Sequence, residues 1–376
     1  MMPKKILITG GAGFIGSHLA DKLLQDGHDI AVLDCLHPQI HGPNPKRPAY
    51  LHKDVDLVIG DIRDEHMVGA AVQGKDIIFH FASHTGVGQS MYEIKEYMDV
   101  NVQGTAVLLE AIQKHNSSLQ KLILASSRAV YGEGAYHCHT CGVVSPKPRS
   151  LLQLQASKWE LNCPNCNLSL TPIPTPETYP TDPRSVYAVS KLTQEHLCTI
   201  YGETYKLPVV VLRYFNVYGP RQSLSNPYTG VLSTFMTRLY NNKPLNIYED
   251  GQESRDFIHV SDIVQACHLA MKTNKANDQI FNIATGKSIT LMEIAQTVTQ
   301  QFRGPSPKTT GQYRFGDIRH SVADITKAKQ LLGYFPRVSF ADGVVELIEQ
   351  AEFIPNEDLS SIAEKELQIR GLSKPD

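Results

Sequence analysis

The sequence lacks the features that mark several large classes of protein. Its 376 residues contain no run of 18 or more apolar residues, so it offers no candidate for a long membrane-spanning helix. The net charge is only −2, which gives no strong basic field for a nucleic acid or an anionic membrane. Seven cysteines are too few, in a chain this long, for a disulfide-dense scaffold. These absences favour a water-soluble globular protein that binds neither nucleic acid nor membrane.

The N-terminal residues, MMPKKILITG, reach a glycine after a short apolar stretch. That stretch is too short for the apolar region of a secretory signal peptide. Apolar residues make up 41% of the chain and charged residues 20%, which is ordinary for a globular protein. We therefore expect a cytoplasmic protein whose cysteines remain reduced.

Short, nearly continuous apolar segments alternate with helical patterns in the first 220 residues. Such segments predict strands that are buried on both faces of a sheet. The predicted strands are 4–9, 29–34, 56–61, 76–82, 121–126 and 208–215, and the predicted helices are 13–25, 92–114 and 187–205. This alternation predicts right-handed crossovers and an α/β fold, a doubly wound parallel sheet of the Rossmann type.

The first predicted strand runs into a G-x-x-G-x-x-G turn formed by Gly10, Gly13 and Gly16. Glycines let the backbone approach a pyrophosphate, and the following helix directs its first amides at it. An ordinary tight turn is the alternative, but Asp34 ends the second strand, where an acid accepts hydrogen bonds from adenosine ribose. Cys35 follows, and no arginine is nearby for a 2′-phosphate. The pattern predicts NAD rather than NADP as cofactor.

A second pattern, Y-x-x-x-K, places Tyr187 and Lys191 on one face of a predicted helix. A neighbouring ammonium group favours the phenolate form of a tyrosine, which can then act as a general base. A tyrosine and a lysine at this spacing also occur together by chance on protein surfaces. The pattern alone is therefore a weak indication of catalysis.

Two C-x-x-C pairs contain four of the seven cysteines, namely Cys138 with Cys141 and Cys163 with Cys166. This spacing is typical of a zinc ribbon, in which each turn offers two thiolates to one tetrahedral ion. Two disulfides do not suit a reducing compartment, and a redox pair would not need a second copy. Four cysteines would close the coordination shell, so we expect a structural zinc ion.

Three motifs, in the order TGGAGFIGSH, SSRAVYG and YAVSK, resemble the extended short-chain dehydrogenases/reductases of the NAD-dependent epimerase/dehydratase family. The resemblance covers nearly the whole chain. It includes DI at 61–62, FAS at 81–83, NVQGT at 101–105, YFNVYGPR at 214–221, RDFIHV at 255–260 and RFGD at 314–317. It implies an enzyme that binds NAD and a nucleotide sugar.

The resemblance also implies a role for each matching residue. The catalytic residues would be Ser127, Tyr187 and Lys191. The NAD-binding residues would be Gly10, Gly13, Phe14, Ile15, Gly16, Asp34, Asp61, Ile62, Phe81, Ala82, Ser83, Asn101, Ser126, Tyr187, Lys191 and Tyr214. The substrate-binding residues would be Ser127, Arg128, Asn216, Arg255, Arg314 and Ser321. The planar guanidinium groups of Arg255 and Arg314 suit the binding of a diphosphate. The alternative is that these arginines form salt bridges at a domain junction.

The resemblance narrows the reaction to a redox-neutral epimerisation at the sugar C4. Related 4,6-dehydratases carry an Asp-Glu pair directly after the catalytic serine or threonine, whereas Arg128 and Ala129 follow Ser127 here. Asp34 argues against the exchangeable NADPH of a reductase. An NAD(P)H-dependent 4-ketosugar reductase and a non-catalytic NAD sensor are the remaining alternatives.

The sugar is less constrained by the sequence than the reaction. GVGQSMY at 86–92, Arg128 and the cysteine insertion most resemble dTDP-L-rhamnose 4-epimerases, which act on a dTDP-6-deoxyhexose. Ser321 stands where many galactose epimerases carry a bulky tyrosine. A small residue there keeps a UDP-N-acetylhexosamine or UDP-hexose 4-epimerase as the second interpretation.

Changes in composition predict three units along the chain. An NAD-binding Rossmann domain would comprise 1–136 and 179–221, interrupted by a zinc-ribbon-like insertion with four cysteines at 137–178. The resemblance implies that this insertion lies near the sugar end of the cleft. A smaller mixed α/β domain at 222–376 would mainly bind substrate, with some return to the first domain near 255–285. The resemblance also implies a homodimer built from the helices near 92–114 and 187–205.

Overall fold

The structure is a computed structural model that describes residues 2–223, 230–349, 366 and 369–370. Its strands are β1 Lys5–Thr9, β2 Asp29–Asp34, β3 Asp56–Ile59, β4 Ile77–His80, β5 Lys121–Ser127, β6 Tyr136–Cys138, β7 Gly142–Val144, β8 Thr171–Pro172, β9 Val209–Tyr214, β10 Asn216–Tyr218, β11 Asn246–Ile247, β12 Ser254–Arg255, β13 Phe257–His259, β14 Gln279–Ile283, β15 Ile289–Thr290 and β16 Lys308–Thr309. Its α-helices are α1 Phe14–Gln25, α2 Pro38–His41, α3 Glu65–Val72, α4 Val87–Ser90, α5 Ile94–Tyr97, α6 Gly104–His115, α7 Leu151–Gln155, α8 Val186–Tyr205, α9 Val231–Tyr240, α10 Val260–Lys272, α11 Leu291–Phe302, α12 Thr326–Leu332 and α13 Phe340–Glu349.

Seven parallel strands form the central sheet, in the order β14-β9-β5-β4-β1-β2-β3. Alternate residues of each inner strand enter different apolar clusters, because successive side chains point to opposite faces. In β1, Ile6 and Ile8 join one cluster while Leu7 joins the other. Both faces are therefore covered, and the predicted Rossmann fold is confirmed.

The predicted helix at 92–114 is wrong as a single element. The structure has α5, a π-helical turn at Met98–Gln103 and then α6. The hydroxyl of Thr105 donates to the carbonyl oxygen of Asn101 at 2.5 Å, which competes with the regular ladder of backbone bonds. π-helical turns of this kind often accompany functional sites, and Asn101 is buried beside helix α8, which carries Tyr187 and Lys191.

The C-terminal part packs around an apolar core of its own. Helices α9, α11 and α13 supply most of that core, and the short strand pairs β10–β13, β11–β16 and β12–β15 surround it. Strand β14 leaves this part and joins the edge of the central sheet beside β9. Most of the chain beyond Glu349 lies outside the described residues, so the predicted boundary of 222–376 stays a prediction.

The cysteine insertion forms a small three-stranded antiparallel sheet, in the order β7-β6-β8, with the short helix α7 between β7 and β8 in the chain. Only six buried residues make up its apolar cluster, namely Tyr136, Cys138, Val144, Leu161, Cys163 and Leu170. Such a core is too small to stabilise a unit by itself. Across the described chain, no helix is long and apolar enough to span a membrane.

Candidate active site

A cleft of about 500 Å³ lies at the carboxyl edge of the central sheet. Its wall is formed where successive strands end, by Gly10 after β1, Asp34 of β2, Phe81 after β4, Ser127 of β5 and Tyr214 of β9. In doubly wound sheets, this edge is where ligands bind. The sheet therefore gathers residues that are far apart in the sequence around one cleft.

A glycine turn forms the floor of one end of this cleft. Gly10 has a φ of +68°, which favours glycine, and a Cβ atom there would lie 2.7 Å from the backbone nitrogen of Ala82. A Cβ atom on Gly16 would lie 2.6 Å from the carbonyl oxygen of Gly10. The turn tolerates no side chain at these positions and leaves the N-terminus of α1 open toward the cleft. This cradle fits the pyrophosphate of a dinucleotide.

Asp34 is fixed at the cleft wall by two backbone bonds. One carboxylate oxygen accepts the N–H of Ala12 at 3.0 Å, and the other accepts the N–H of Leu36 at 2.9 Å. Each oxygen retains a second lone pair. The geometry fits the predicted acceptance of ribose hydroxyl groups, which stays a prediction.

Asp61 and Ile62 also line the cleft, as the resemblance implied. Arg63 forms a two-point ion pair with Asp61, with nitrogen–oxygen distances of 2.9 and 2.7 Å. These hydrogen bonds hold the pKa of the Asp61 carboxyl below its ordinary value. Asp61 therefore remains a carboxylate that can accept hydrogen bonds at neutral pH.

Ser127, Tyr187 and Lys191 line the cleft together. Ser127 ends β5, whereas Tyr187 and Lys191 lie one turn apart at the start of α8. Ser185 caps this helix by accepting the N–H of Ala188 at 3.1 Å, which fixes the first turn and its tyrosine. The predicted catalytic residues are thus brought together from two separate elements.

Burial acts on both titrating groups of this trio. It raises the pKa of the Tyr187 hydroxyl, while a hydrogen bond with Ser127 and the charge of Arg128 lower it. Burial lowers the pKa of Lys191 to about 8, opposed by the charge of Glu195. Lys191 is therefore mostly charged at pH 7 and loses that charge as the pH rises through about 8.

A buried ion pair joins helix α8 to strand β9 of the central sheet. Arg213 of β9 contacts Glu195 at 2.9 and 2.6 Å, and both side chains are nearly inaccessible to solvent. The hydroxyl of Ser126 also donates to Glu195. Ser126 lines the cleft, so this pair connects the wall directly to the helix that carries Tyr187 and Lys191.

The other predicted cleft residues are found at its wall. Asn216 is notable because its side-chain oxygen is buried and has no hydrogen-bond partner within the described protein. Such an atom needs a polar partner, which a bound ligand can supply. The remaining predicted residues at the wall are Gly13, Phe14, Ile15, Phe81, Ala82, Ser83, Arg128 and Tyr214.

Four predicted residues do not line the cleft. Asn101 is buried and donates to Ser190 at 2.8 Å and to the carbonyl of His84 at 3.1 Å. Arg255 donates to the carbonyls of 254, 318 and 319, and Arg314 lies 5.0 Å from the ring centre of Tyr248. The amide of Ser321 donates to Ser254. Their predicted ligand contacts stay predictions, and neither arginine forms a salt bridge in the described chain.

Several cleft residues have no counterpart among the sequence predictions. His37, Gln39 and His41 follow β2, and Arg63 and His84 follow β3 and β4. The signal that could have identified them is their position just beyond the carboxyl ends of strands. The rings of His37 and His84 meet edge to face at 5.0 Å and form part of the same wall.

The four cysteines of the insertion meet in space. Their sulfur atoms all lie within 4.8 Å of one another, and none of the four is in a disulfide. A tetrahedral ion with Zn–S bonds of about 2.3 Å separates its sulfur ligands by roughly 3.8 Å. Gly142 and Asn167, which follow the two pairs, have φ values of +74° and +62°. The donor set and its turns fit a zinc ion.

A Rossmann sheet with a glycine turn and a Ser-Tyr-Lys arrangement at its carboxyl edge is characteristic of short-chain dehydrogenases/reductases. The chain belongs to the NAD dependent epimerase/dehydratase family, whose model matches residues 6–151 and 169–284. Residues 152–168 fall outside both matched ranges and contain Cys163 and Cys166. The second C-x-x-C pair therefore lies outside the part of the chain that the family model matches.

Curated and solved relatives extend this likeness over most of the chain. A dTDP-L-rhamnose 4-epimerase of Burkholderia thailandensis is 37% identical over 92% of this chain and 94% of its own. A UDP-glucose 4-epimerase of Thermotoga maritima, solved with UDP-glucose, is 30% identical with a TM-score of 0.74, covering 92% and 98% of the two chains. A UDP-glucuronic acid 4-epimerase of Bacillus cereus, solved with UDP-glucuronic acid and NAD, is 27% identical with the same TM-score and coverage. The predicted NAD-dependent nucleotide-sugar epimerase is confirmed at the level of this enzyme class.

Proposed function

We propose that the protein is an NAD-dependent 4-epimerase of a dTDP-6-deoxyhexose such as dTDP-L-rhamnose. The observation that carries the reaction is the placement of Ser127, Tyr187 and Lys191 in one cleft with the glycine cradle of Gly10 and Gly16. NAD bound in such a cleft would accept a hydride from the sugar and later return it. The protein's own residues must bind the sugar and move the proton of its 4-hydroxyl group.

Tyr187 is the base in the first half of the reaction. As hydride leaves C4, the proton of the 4-hydroxyl passes to the Tyr187 oxygen, which gives a 4-keto sugar. The keto sugar then presents its other face, hydride returns to C4, and Tyr187 returns the proton. Ser127 holds the reacting oxygen, and the charge of Lys191 favours the phenolate. Each turnover therefore causes no net oxidation or reduction of the sugar.

Arg128 and Ala129 argue against dehydration of the sugar. Loss of water across C5 and C6 requires an acid and a base near those atoms. Directly after Ser127, an arginine and a buried alanine occupy the positions at which related dehydratases carry Asp and Glu. Neither residue can exchange a proton with the sugar at neutral pH, so the 4-keto sugar is reduced again.

The assignment to a dTDP-6-deoxyhexose is supported by the 37% identity to the Burkholderia thailandensis enzyme. A UDP-hexose or UDP-N-acetylhexosamine 4-epimerase is the second candidate. It is favoured by the likeness to the Thermotoga maritima structure and by a UDP-N-acetylglucosamine 4-epimerase of Methanobrevibacter ruminantium, which has a TM-score of 0.74. An NAD(P)H-dependent 4-ketosugar reductase is the third candidate, and this function is less consistent with Asp34.

Product NMR on a panel of dTDP-, UDP- and GDP-sugars tests this assignment. Purified protein should interconvert dTDP-L-rhamnose and its C4 epimer without added cofactor, and should turn over the UDP-sugars more slowly. Preference for a UDP-sugar would favour the second candidate. Net consumption of NADH in proportion to product would instead identify a reductase.

Replacing Arg128 with methionine should shift the pH dependence of kcat. The Arg128 charge lowers the pKa of Tyr187, so its removal raises that pKa and less phenolate exists at a given pH. We expect the acidic limb of the kcat profile to move to higher pH by about one unit. The Arg128→Lys variant retains a cation and should keep the limb near its original position. An unchanged limb in Arg128→Met would contradict the electrostatic role.

A structural zinc ion in the Cys138, Cys141, Cys163 and Cys166 cluster is part of this proposal. The mutual distances of at most 4.8 Å and the tiny apolar core of the insertion support it. Four thiolates close a tetrahedral shell, so the ion would have no open position for chemistry. Four free thiols also suit the reducing cytoplasm that we infer for the protein.

We also infer a homodimer, which the resemblance implied. Exposed apolar side chains support it, because Val189 and Ile200 of α8 and Ile94 of α5 are 41%, 61% and 52% accessible. The first two lie on one face of their helix. Light scattering should give a mass near twice 41.8 kDa, and a monomer at micromolar concentration would refute the dimer.

A further inference from the structure

A cluster of five charged side chains, three of them buried, joins the cysteine insertion to the C-terminal part of the chain. Arg149 and Glu160 come from the insertion, and Glu249, Asp250 and Arg319 come from outside it. The side chains of Arg319 and Glu249 are fully buried, and that of Arg149 is 2% accessible. Buried charges persist only when they are paired in good geometry, so this junction has one preferred arrangement.

Arg319 uses its whole fork in the cluster. Its guanidinium contacts Glu160 at 2.9 and 2.6 Å, Asp250 at 2.8 and 2.9 Å, and Glu249 at 3.0 Å. A planar fork bound on several sides fixes its orientation, which a lysine would not do. Glu160 is the only one of these three carboxylates that belongs to the insertion.

Arg149 completes the junction from the insertion side. It contacts Glu249 at 2.6 Å and donates to the carbonyl oxygen of Asp317 at 2.9 Å. Beyond β8, the backbone amide of Thr175 donates to Val322, and the amide of Asp324 donates to Thr175. The insertion therefore holds the segment 317–324 at both ends.

The same segment holds Arg255 from its other side. The Arg255 guanidinium donates to the carbonyl oxygens of Ile318 and Arg319 at 2.8 and 3.1 Å. Burial, followed by the charge of Arg255, lowers the pKa of Arg128 to about 10, so Arg255 lies within electrostatic reach of the cleft wall. A chain of direct contacts thus runs from the insertion to Arg255, and the charge of Arg255 acts on Arg128 at the cleft wall.

No described residue from 137 to 178 lines the cleft. The described contacts that lead from the insertion toward the cleft run through the segment 317–324. Arg314 lies three residues before that segment and belongs to the same connection between β16 and α12. Any displacement of the segment would move Arg255 and Arg314 together.

We propose that the cysteine insertion positions the substrate-binding arginines, and that Arg149 and Glu160 are positioning residues that act through Arg319 and the segment 317–324. This rests on the proposed function, in which Arg255 and Arg314 bind the diphosphate of a nucleotide sugar. The insertion sets the affinity for the nucleotide diphosphate and leaves the Ser127–Tyr187–Lys191 chemistry unchanged. The metal stabilises the insertion, and the charge cluster transmits its position to the binding site.

The Glu160→Gln variant tests this proposal, with Lys158→Gln as the matched control. Glu160→Gln removes the negative charge that the insertion places against Arg319 and His320 and keeps the shape of the side chain. Lys158 is exposed, lies two residues away and makes no ion pair among the described residues. We expect KM for the nucleotide sugar to rise roughly three- to tenfold in Glu160→Gln, with kcat, bound NAD and zinc content unchanged. Glu160→Asp should recover part of the affinity, and Lys158→Gln should behave as wild type.

Calorimetry with dTDP alone and with UDP alone separates this inference from the proposed reaction. Weaker binding of a nucleoside diphosphate by Glu160→Gln supports the positioning role even if no sugar in the panel is epimerised. Unchanged KM and unchanged nucleoside diphosphate affinity in Glu160→Gln would overturn it. Loss of NAD or zinc together with substrate would also overturn it, because the residue would then stabilise the fold in general.

Discussion

Replacing Tyr187 with phenylalanine should reduce kcat by about 10³-fold while NAD remains bound. The substitution removes one oxygen atom, and that atom is the proposed acceptor and donor of the proton of the 4-hydroxyl group. The ring itself can stay in place, since it packs edge to face against Tyr97 at a centroid distance of 6.5 Å. The cradle of Gly10 and Gly16 lies on other elements, so the cofactor site should be unaffected.

The Tyr201→Phe variant is the matched control for this loss. Tyr201 lies on the same helix α8 but outside the cleft, where its ring stacks with Tyr205 at 4.6 Å. It should keep wild-type turnover and wild-type bound NAD, measured after denaturing the protein. A Tyr187→Phe enzyme that retains wild-type kcat would remove Tyr187 from the reaction. Loss of NAD in the same variant would make the result structural rather than chemical.

The inner strands could be predicted because each obeys a local rule. Strand β2 has the predicted limits, β1 and β5 differ from theirs by one residue at one end, and β9 differs by one residue at each end. A run of apolar residues long enough to cross the sheet is visible in the sequence itself. The helix at 92–114 could not be predicted in the same way, because no local pattern in its sequence marks the π-helical turn at Met98–Gln103.

The functional residues can be divided in the same way, into those that a local motif places and those that distant packing places. Gly10, Gly16, Ser127 and Tyr187 belong to short motifs, so their sequence spacing already places them at strand and helix ends. Arg319, in contrast, meets Glu160 across 159 residues and Asp250 across 69. No periodicity or motif encodes such a meeting, because it depends on how the insertion packs onto the C-terminal part. Residues that act through packing are therefore among those that sequence reasoning missed.

Loss of bound metal is the expected result of the double substitution Cys138→Ser/Cys163→Ser. The wild-type protein should contain about one zinc ion per chain, and the variant should contain almost none. The two substitutions remove one thiolate from each C-x-x-C pair, and a serine hydroxyl is not ionised at neutral pH. Cys35→Ser/Cys198→Ser makes the same chemical change outside the cluster and should retain the metal. Inductively coupled plasma mass spectrometry of the purified proteins gives the comparison.

The structural consequence of that loss should be large but confined to the insertion. Metal binding contributes about 10–16 kcal/mol to the folding of small zinc-finger peptides, and the insertion's own apolar cluster has only six residues to replace it. The two apolar clusters of the central sheet do not include those residues, so the nucleotide cleft should remain folded. We expect protease cleavage between residues 137 and 178, retained NAD and a raised KM. Wild-type protein without zinc, or with disulfides among these four cysteines, would refute the metal site.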